Sequence, residues 1–399
     1  MGMHQPFIIT NLKIYNENTV CEKGYVKVVD GKIVEVGDLN TLSEHNEQYE
    51  VIIMPEDHCL IPGMIDVHIH GVAGADTMDA TTEALETMAQ TLPNEGTTSF
   101  LATTITQSHE AIEKALINVA DYMGKTQTIG KSEILGIHLE GPFISDKRAG
   151  AQPLDHITEP DVNVFKKWQK LAQGNIKMVT LAPEEPGGLE LISHLKETEV
   201  VPSIGHSNAT YAEVDQAIES GATHVTHLFN GMRGLHHREP GVAGAALLRD
   251  ELFVEIIADG IHIRPEMIRL AFQQKTKDKV ILITDSIRAK CLKQGRYDLG
   301  GQEVNVSETK ATLENGTLAG SILKMKDALR NFSSYTSCTI RDLIQITAVN
   351  PAKQLNVFEH KGSIATGKDA DLVILNENLD VVMTFCRGKL AYKQGENDE

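Results

Sequence analysis

The 399-residue sequence predicts an α/β protein, a TIM (β/α)8 barrel with a small β-sandwich domain formed from the N- and C-terminal segments. Eight apolar, strand-like runs alternate with amphipathic helical stretches over roughly 290 residues, the usual size of such a barrel. Both ends of the chain are instead rich in short strands and turns. No GxGxxG motif follows the first barrel strand, which disfavours the competing doubly wound open sheet.

The two ends of the chain predict the small domain. Near the N-terminus, FIITNLKIY is followed by YVKVVDGKIVEVG, in which Asp30 and Gly31 separate two alternating apolar runs. An Asp-Gly pair in this setting is a strong hairpin signal. Near the C-terminus, DADLVILNENLDVVMTFCRGKLAYK has the same character around a second tight turn. The predicted limits are residues 1–60 plus 357–399 for the small domain and 61–356 for the barrel.

The middle of the chain supplies the barrel strands and their helices. In chain order, the strand-like runs read MIDVHIHG, TSFLATT, ILGIHLEG, IKMVTLAP, VVPSIGHS, THVTHLFN, LFVEIIADG and KVILITDS. Amphipathic stretches such as TEALETMAQTLPNEG and SHEAIEKALINVADYMG lie between them. After the eighth strand comes a long, Gly-rich loop, CLKQGRYDLGGQEVNVSETKATLENGTLAGS. Loops of that length in a compact domain are usually functional.

Composition excludes several classes of partner. The formal net charge of −18 leaves no basic stripe for nucleic acid, so we expect no nucleic-acid partner. No stretch approaches the roughly 18 consecutive apolar residues of a membrane span, so we expect no membrane association. The five cysteines are scattered and form no CxxC pair, which predicts reduced thiols and a cytoplasmic protein.

Ionisable side chains stand at the carboxyl ends of the predicted barrel strands. In the first strand, Asp66, His68 and His70 are two residues apart and therefore point to the same face. The active site of a TIM barrel lies at this end of the strands, so these groups converge. Each uncompensated buried charge costs several kcal/mol, and a metal ion is the usual compensation. The remaining strand-end residues are His138, Glu140, His206, His224, His227, Asp259, His262 and Asp285.

This set of residues predicts metal-assisted hydrolysis. Nitrogen and carboxylate ligands without thiolate indicate Zn²⁺, Fe²⁺ or another first-row cation. An open site of this kind makes hydroxide available near neutral pH. Asp285, at the end of the eighth strand, can take the proton of the water and deliver it to a leaving group. His138 and His224 are interpreted instead as hydrogen-bonded core histidines.

Longer motifs make the assignment specific. PGMIDVHIHG, HLEGP, GHS, THLFN and TDS, with NPAKQL and GSIATGKDADLVIL downstream, resemble the amidohydrolase superfamily across nearly the whole chain. HLEGPFISDKRAGAQ, THLFNGM, HHREPG, ADGIH and LAGS resemble the N-acetylglucosamine-6-phosphate deacetylase family within it. The resemblance implies hydrolysis of N-acetyl-D-glucosamine 6-phosphate to D-glucosamine 6-phosphate and acetate by a metal-activated water, in amino-sugar catabolism and recycling.

The resemblance also implies roles for the matching residues. Glu140, His206 and His227 hold the main divalent metal, and His68 and His70 make a second site chemically feasible, so one or two ions are implied per subunit. Asp285 is the implied catalytic residue. One phosphate contact comes from the neighbouring subunit in this family, so a homodimer is implied. The implied substrate contacts are Asn230, Gly231, Arg238 and His262, together with the backbone of Ala151, Leu318, Ala319 and Gly320.

One departure and two alternative interpretations stay open. Gln152 stands where some relatives have a histidine thought to polarise the amide, although a neutral amide can still donate a hydrogen bond. The motifs are also compatible with another cyclic-amide hydrolase or deaminase, in which Arg238 would have no phosphate to bind. A catalytically silent scaffold is the third interpretation, and it is disfavoured because such proteins typically lose metal ligands.

Overall fold

The computed structural model describes residues 5–43 and 46–395. The strands are β1 Phe7–Tyr15, β2 Val20–Val29, β3 Lys32–Asp38, β4 Glu50–Ile53, β5 Cys59–Pro62, β6 Met64–Ile69, β7 Gly71–Val72, β8 Ala75–Asp76, β9 Thr97–Thr104, β10 Glu133–Glu140, β11 Ile176–Leu181, β12 Val201–Ile204, β13 His224–Val225, β14 Phe253–Ile257, β15 Val280–Ile283, β16 Gly295–Leu299, β17 Gln302–Val306, β18 Ala311–Thr312, β19 Leu372–Leu375, β20 Val381–Cys386 and β21 Lys389–Lys393. The α-helices are α1 Thr82–Thr91, α2 His109–Lys125, α3 Val162–Leu171, α4 Gly188–Glu197, α5 Tyr211–Ser220, α6 Gly241–Leu248, α7 Pro265–Lys275, α8 Met325–Tyr335, α9 Ile340–Ile344 and α10 Asn350–Gln354.

Eight parallel strands form the barrel in the order β6-β9-β10-β11-β12-β13-β14-β15. The first and last strands close it: the N–H of Asp285 donates to the carbonyl of His68 at 2.8 Å, and the N–H of His70 donates to Ser286 at 2.9 Å. Strands buried on both faces read as nearly continuous apolar runs, which is why all eight were visible in the sequence. The predicted barrel is confirmed.

The barrel helices follow from caps and apolar periodicity, as α2 illustrates. The side chain of Ser108 accepts a hydrogen bond from the N–H of Ala111 and so caps the first turn. Ile112, Leu116 and Val119 recur at helical spacing and are buried. The apolar face of the helix therefore packs inward, while its charged face remains in solvent.

Both chain ends build the small domain, as predicted. Its strands pair in the order β21-β20-β19-β5-β1-β2-β3, and β4 pairs with β1. The ring of Phe7 in β1 stacks on Phe385 in β20 at 5.0 Å between centroids, although these strands are not neighbours. The sheet therefore folds over a core of its own. Asp30 and Gly31 form the predicted hairpin between β2 and β3. The domain limits at residues 60 and 357 stay a prediction.

The long loop after the eighth barrel strand forms a separate three-stranded antiparallel sheet, β16-β17-β18. Its apolar side packs on Ile105 and Ile287, which follow β9 and β15 at the mouth of the barrel. Gly320 follows this sheet with a φ of 55°, and a Cβ there would lie 2.6 Å from Cγ2 of Ile287. Glycine is required by both the conformation and the close approach. The loop therefore contributes one wall of the barrel mouth.

No helix in residues 5–43 or 46–395 is long and apolar enough to cross a membrane.

Candidate active site at the barrel mouth

A cavity of about 220 Å³ lies at the carboxyl ends of the barrel strands. Strand-end side chains line it together with residues of the loop that carries β16–β18. This is the edge of a TIM barrel at which active sites lie. The lining residues are His70, Ile105, Glu140, Gly150, Ala151, Gln152, His206, His227, Asn230, Gly231, His262, Asp285, Leu299, Thr317, Leu318 and Gly320.

Three of the predicted metal ligands form a compact cluster of atoms. Oε1 of Glu140 lies 3.2 Å from Nε2 of His206 and 3.2 Å from Nε2 of His227, and the two nitrogens are 3.1 Å apart. All three residues are buried. A tetrahedral first-row ion with bonds of ~2.0–2.1 Å separates its ligand atoms by about 3.3 Å. The spacing of this triad therefore fits a metal ion.

The hydrogen bonds on the far side of both rings determine which nitrogen carries the proton. Nδ1 of His206 donates to the carbonyl of Arg148 at 3.0 Å, and Nδ1 of His227 donates to the carbonyl of Asn230 at 3.1 Å. A neutral imidazole protonated at Nδ1 presents a lone pair at Nε2. Two lone pairs and a carboxylate oxygen therefore converge on one point, and they repel one another unless a cation lies between them.

A second cluster adjoins the first through the carboxylate of Glu140. Nε2 of His70 lies 3.3 Å from Glu140 Oε2 and 3.3 Å from Asp285 Oδ1. Nε2 of His68 lies 3.4 Å from Glu140 Oε1 and 3.5 Å from Asp285 Oδ1. This buried His68 nitrogen has no hydrogen-bond partner among the described residues. A bare nitrogen beside two carboxylates fits a second cation.

Buried carboxylates make this part of the barrel strongly favour positive charge. Burial by itself lowers the pKa of His70, but Asp285 and Glu140 raise it to about 10. Burial also lowers the pKa of His68, and its neighbours Glu140 and Glu255 raise it well above its ordinary value. For Glu140, burial raises the pKa, but the surrounding histidines hold it well below its usual range. A divalent cation would supply the positive charge that these carboxylates favour.

The two histidines interpreted as core residues are confirmed as such. His138 donates from Nδ1 to a main-chain carbonyl of β6 at 3.1 Å and accepts from the hydroxyl of Thr180 at 2.7 Å. Burial lowers the pKa of His138 to about 3, so its ring is neutral. His224 contacts Gln354 at 3.2 Å and Glu255 at 3.1 Å through its two ring nitrogens. Neither ring lines the cavity.

Sequence reasoning missed Glu255, a fully buried carboxylate in β14. It accepts hydrogen bonds from Nδ1 of His68 at 2.9 Å and from Nε2 of His224 at 3.1 Å. It also accepts the main-chain N–H of His227 at 3.0 Å. Burial raises the pKa of Glu255, but His68 and His224 hold it well below its usual range. The available signal was a single charged residue within the apolar strand FVEII.

Three of the site residues have a left-handed backbone, with φ of 47° at His206, 29° at His227 and 49° at Asp285. Such conformations cost of order 1–3 kcal/mol each and persist where the surrounding structure imposes them. They turn the chain just after each strand and aim the side chains into the mouth. Gly231 approaches so closely that a Cβ would lie 2.9 Å from Nδ1 of His206, so a side chain does not fit there.

The structure brings most of the predicted substrate contacts to the cavity. Ala319 does not line the cavity and its side chain is buried beneath the three-stranded sheet, so the predicted contact through its main chain stays a prediction. Arg238 is the other exception: it lies in an exposed turn and does not line the cavity of its own chain. The predicted contacts that do line it are Ala151, Asn230, Gly231, His262, Leu318 and Gly320.

Two polar side chains that line the cavity, His262 and Gln152, are oriented by hydrogen bonds to neighbouring residues. Nδ1 of His262 lies 2.6 Å from Oδ2 of Asp259. Burial lowers the pKa of His262, but Asp259 raises it above its ordinary value, so the ring favours the cationic form. The carboxamide of Gln152 accepts the N–H of Thr106 at 2.9 Å and donates to Glu140 Oε2 at 2.8 Å. Its second amide hydrogen is left for the cavity.

Comparison with known proteins shows which family and which relatives the chain is similar to over its length. The model of the amidohydrolase family matches residues 59–391. The chain is 50% identical over 398 residues to an N-acetylglucosamine-6-phosphate deacetylase of Bacillus subtilis, and the match covers 100% of both chains.

Solved structures give the same result. An N-acetylglucosamine-6-phosphate deacetylase of Thermotoga maritima is similar with a TM-score of 0.87 and 36% identity, covering 97% of this chain and 100% of that one. A variant N-acetyl-D-glucosamine-6-phosphate deacetylase of Mycobacterium smegmatis, in complex with N-acetyl-D-glucosamine 6-phosphate, has a TM-score of 0.90 at 28% identity. That match covers 98% of this chain and 100% of the other.

Proposed function

The chain belongs to the amidohydrolase family, and from its full-length identity to deacetylases we propose that it is the deacetylase of N-acetyl-D-glucosamine 6-phosphate. It hydrolyses the acetamide of this substrate to D-glucosamine 6-phosphate and acetate, a reaction of amino-sugar metabolism. The observation that carries the function is the convergence of Glu140, His206 and His227 at the mouth of a barrel that matches these deacetylases over its full length.

The buried clusters are of the kind that holds a divalent metal in this family. We propose that Glu140, His206 and His227 hold one ion, and that His68, His70 and Asp285 hold a second, with Glu140 shared between them. Zinc, iron and other first-row cations suit this donor set. When bound, such an ion supplies a Lewis acid that lowers the pKa of water and polarises a carbonyl.

We assign the movement of the proton to Asp285. Its carboxylate takes a proton from the water as the water oxygen bonds to the acetyl carbon. The same proton is then delivered to the amide nitrogen as the C–N bond breaks, so that the amine leaves neutral. Burial raises the pKa of Asp285, but His68 and His70 lower it below its ordinary value, so the carboxylate is ionised and ready to accept the proton.

Residues around the cavity bind the rest of the substrate in this proposal. His262, whose cationic form is stabilised by Asp259, is suited to an anionic phosphate. Asn230 and Gly231, which immediately follow the loop of His227, contact the sugar phosphate near the metal. Gln152 uses one amide hydrogen on Glu140 and offers the other to the acetyl oxygen.

We propose that the protein is a homodimer in which Arg238 serves the cavity of the partner. Arg238 is exposed in its own chain, and its Nη1 donates to Nε2 of the neighbouring His237 at 2.8 Å. Leu235 and Leu248, on the same loop and the following helix, are 57% and 61% exposed. Apolar side chains around a cationic turn suit an interface with a second copy.

We propose a cytoplasmic location for the same protein. Five free cysteines and a phosphorylated sugar substrate support this proposal.

The metal assignment predicts the behaviour of Glu140→Gln. The substitution keeps the size of the side chain but removes the anionic donor shared by both clusters. We expect the dialysed variant to retain far less metal than wild type and to release no measurable acetate from N-acetyl-D-glucosamine 6-phosphate. Elemental analysis and an acetate assay, before and after re-addition of metal, measure both effects.

Asp76→Asn is the matched control. Asp76 is a buried carboxylate just after the first barrel strand, and its oxygen accepts the N–H of Met78, which an asparagine can also do. The control should keep its metal and its activity. Full metal content in Glu140→Gln would remove Glu140 from the ligand set.

A further inference from the structure

The interior of the barrel contains a carboxylate, Glu255, that takes no part in the proposed hydrolysis. Glu255 lies in β14 beneath the metal-binding clusters and is fully buried. It does not line the cavity, so it cannot touch the substrate. A buried carboxylate is stable only if N–H groups donate to it or a cation offsets its charge.

The directions of the hydrogen bonds around Glu255 can be read from the outermost partner inward. Nε2 of Gln354 donates to Nδ1 of His224 at 3.2 Å, and the same amide group also points at the main-chain carbonyl of Thr223. His224 therefore accepts at Nδ1 and carries its proton on Nε2. That Nε2–H donates to Oε1 of Glu255 at 3.1 Å. One carboxylate oxygen is thus committed to His224.

The other carboxylate oxygen of Glu255 determines which ring nitrogen of His68 carries the proton. Oε2 of Glu255 accepts Nδ1–H of His68 at 2.9 Å and the main-chain N–H of His227 at 3.0 Å. With its proton on Nδ1, the His68 ring presents a lone pair at Nε2. That atom lies between carboxylate oxygens of Glu140 and Asp285, at 3.4 and 3.5 Å. A lone pair facing two carboxylates is stable only with a proton or a metal cation between them, and a metal ion takes the place of the proton when it binds.

We propose that Glu255 is the positioning residue of the second metal site. It fixes the tautomer and the ring orientation of His68, so that Nε2 can bind the ion that His70 and Asp285 also hold. Histidine ligands commonly donate their second N–H to a carboxylate in this way, and loss of the carboxylate typically weakens metal binding about 10–100-fold. The inference rests on the second ion proposed above.

The isosteric variant Glu255→Gln tests this role because no orientation of the new amide satisfies its neighbours. If the amide oxygen faces His68 and His227, the NH₂ group meets Nε2–H of His224. If the amide is turned round, the NH₂ group meets Nδ1–H of His68 and forces its proton to the other nitrogen. Either arrangement weakens the hold on His68, while His206 and its far-side hydrogen bond are untouched.

Metal-free protein is titrated with Zn²⁺ in a calorimeter, which measures the affinity for each ion. Elemental analysis then gives the number of ions bound per chain. Wild type should bind two ions per chain. Glu255→Gln should bind the first with unchanged affinity and the second about 10–100-fold more weakly. Asp66→Asn is the matched control, because Asp66 is also a buried carboxylate of the barrel interior. It accepts hydrogen bonds from the main-chain N–H of His68 and from Thr284, and it has no bond to the His68 ring. The control should bind both ions as wild type does.

The outcomes separate this inference from the proposal it rests on. A wild-type protein that binds a single ion overturns the second site, and the role of Glu255 with it. If wild type binds two ions and Glu255→Gln binds both with the wild-type affinities, the role of Glu255 is overturned but the second metal site is not.

Histidine-selective ¹⁵N NMR of zinc-loaded wild type makes the same test without a variant. His68 should show a proton on Nδ1 and metal on Nε2. The reverse assignment would contradict the inference, whether or not Glu255→Gln folds.

Discussion

Replacing Asp285 with asparagine should lower kcat by roughly 10²–10⁴, the usual contribution of general acid–base catalysis. Asparagine is nearly isosteric with aspartate and retains an oxygen, but it cannot carry the proton from water to the amide nitrogen. An amide anion is a very poor leaving group, so the C–N bond does not break without that proton. The ion proposed at Glu140, His206 and His227 should remain bound, because Asp285 does not belong to that triad.

The prediction is checked by steady-state acetate release, with metal content measured on the same preparation. Asp76→Asn again serves as the control for the loss of a buried carboxylate near the barrel mouth. An Asp285→Asn protein that retains the ion at Glu140, His206 and His227 and has kcat within about threefold of wild type would mean that another group moves the proton.

Removing Arg238 should produce the second large effect, and it should appear in KM. A charge-assisted, bidentate contact to phosphate is worth a few kcal/mol, so Arg238→Ala should raise KM for the phosphorylated sugar roughly a hundredfold. The unphosphorylated sugar should be affected far less, because it has no phosphate to lose. Equal effects on both sugars would place Arg238 outside the phosphate site.

A second experiment shows whether Arg238 acts on the site of its own chain or on that of the partner. In the proposed homodimer, coexpression of Arg238→Ala with Asp285→Asn chains yields mixed dimers that contain one chain of each kind. If Arg238 acts on the partner, one site of a mixed dimer has both defects and the other combines an intact Asp285 with an intact Arg238. Random pairing then restores about one quarter of wild-type activity at low substrate concentration, since half of the dimers are mixed and each has one intact site. No recovery above the two parent variants would show that Arg238 acts within its own chain.

The fold was predictable because each barrel strand has its own signal. Both faces of these strands are buried, so their apolar runs stand out, and the ionisable residues fall at one end of them. The small domain was predictable from period-two alternation and from the Asp30–Gly31 turn. Neither signal depends on contacts between distant parts of the chain.

The sequence was less informative about groups that act through long-range contacts. Glu255 looked like one polar residue in an apolar strand, and only the closed barrel brings it to His68, 187 residues away. Gln152 looked like a replaced histidine, whereas the structure shows its amide held between Thr106 and Glu140. The role proposed for Arg238 involves a second copy of the chain, which no local sequence pattern describes.

The most direct test of the account is a comparison of acetate release by the purified, metal-loaded protein from N-acetyl-D-glucosamine 6-phosphate and from N-acetyl-D-glucosamine. We expect kcat/KM for the phosphorylated sugar to be higher by about a hundredfold or more, because the phosphate contacts contribute a few kcal/mol that the free sugar cannot gain. Chelation should abolish the activity, and re-addition of metal should restore it. Equal kcat/KM for the two sugars, or undiminished acetate release from fully demetallated protein, would contradict it.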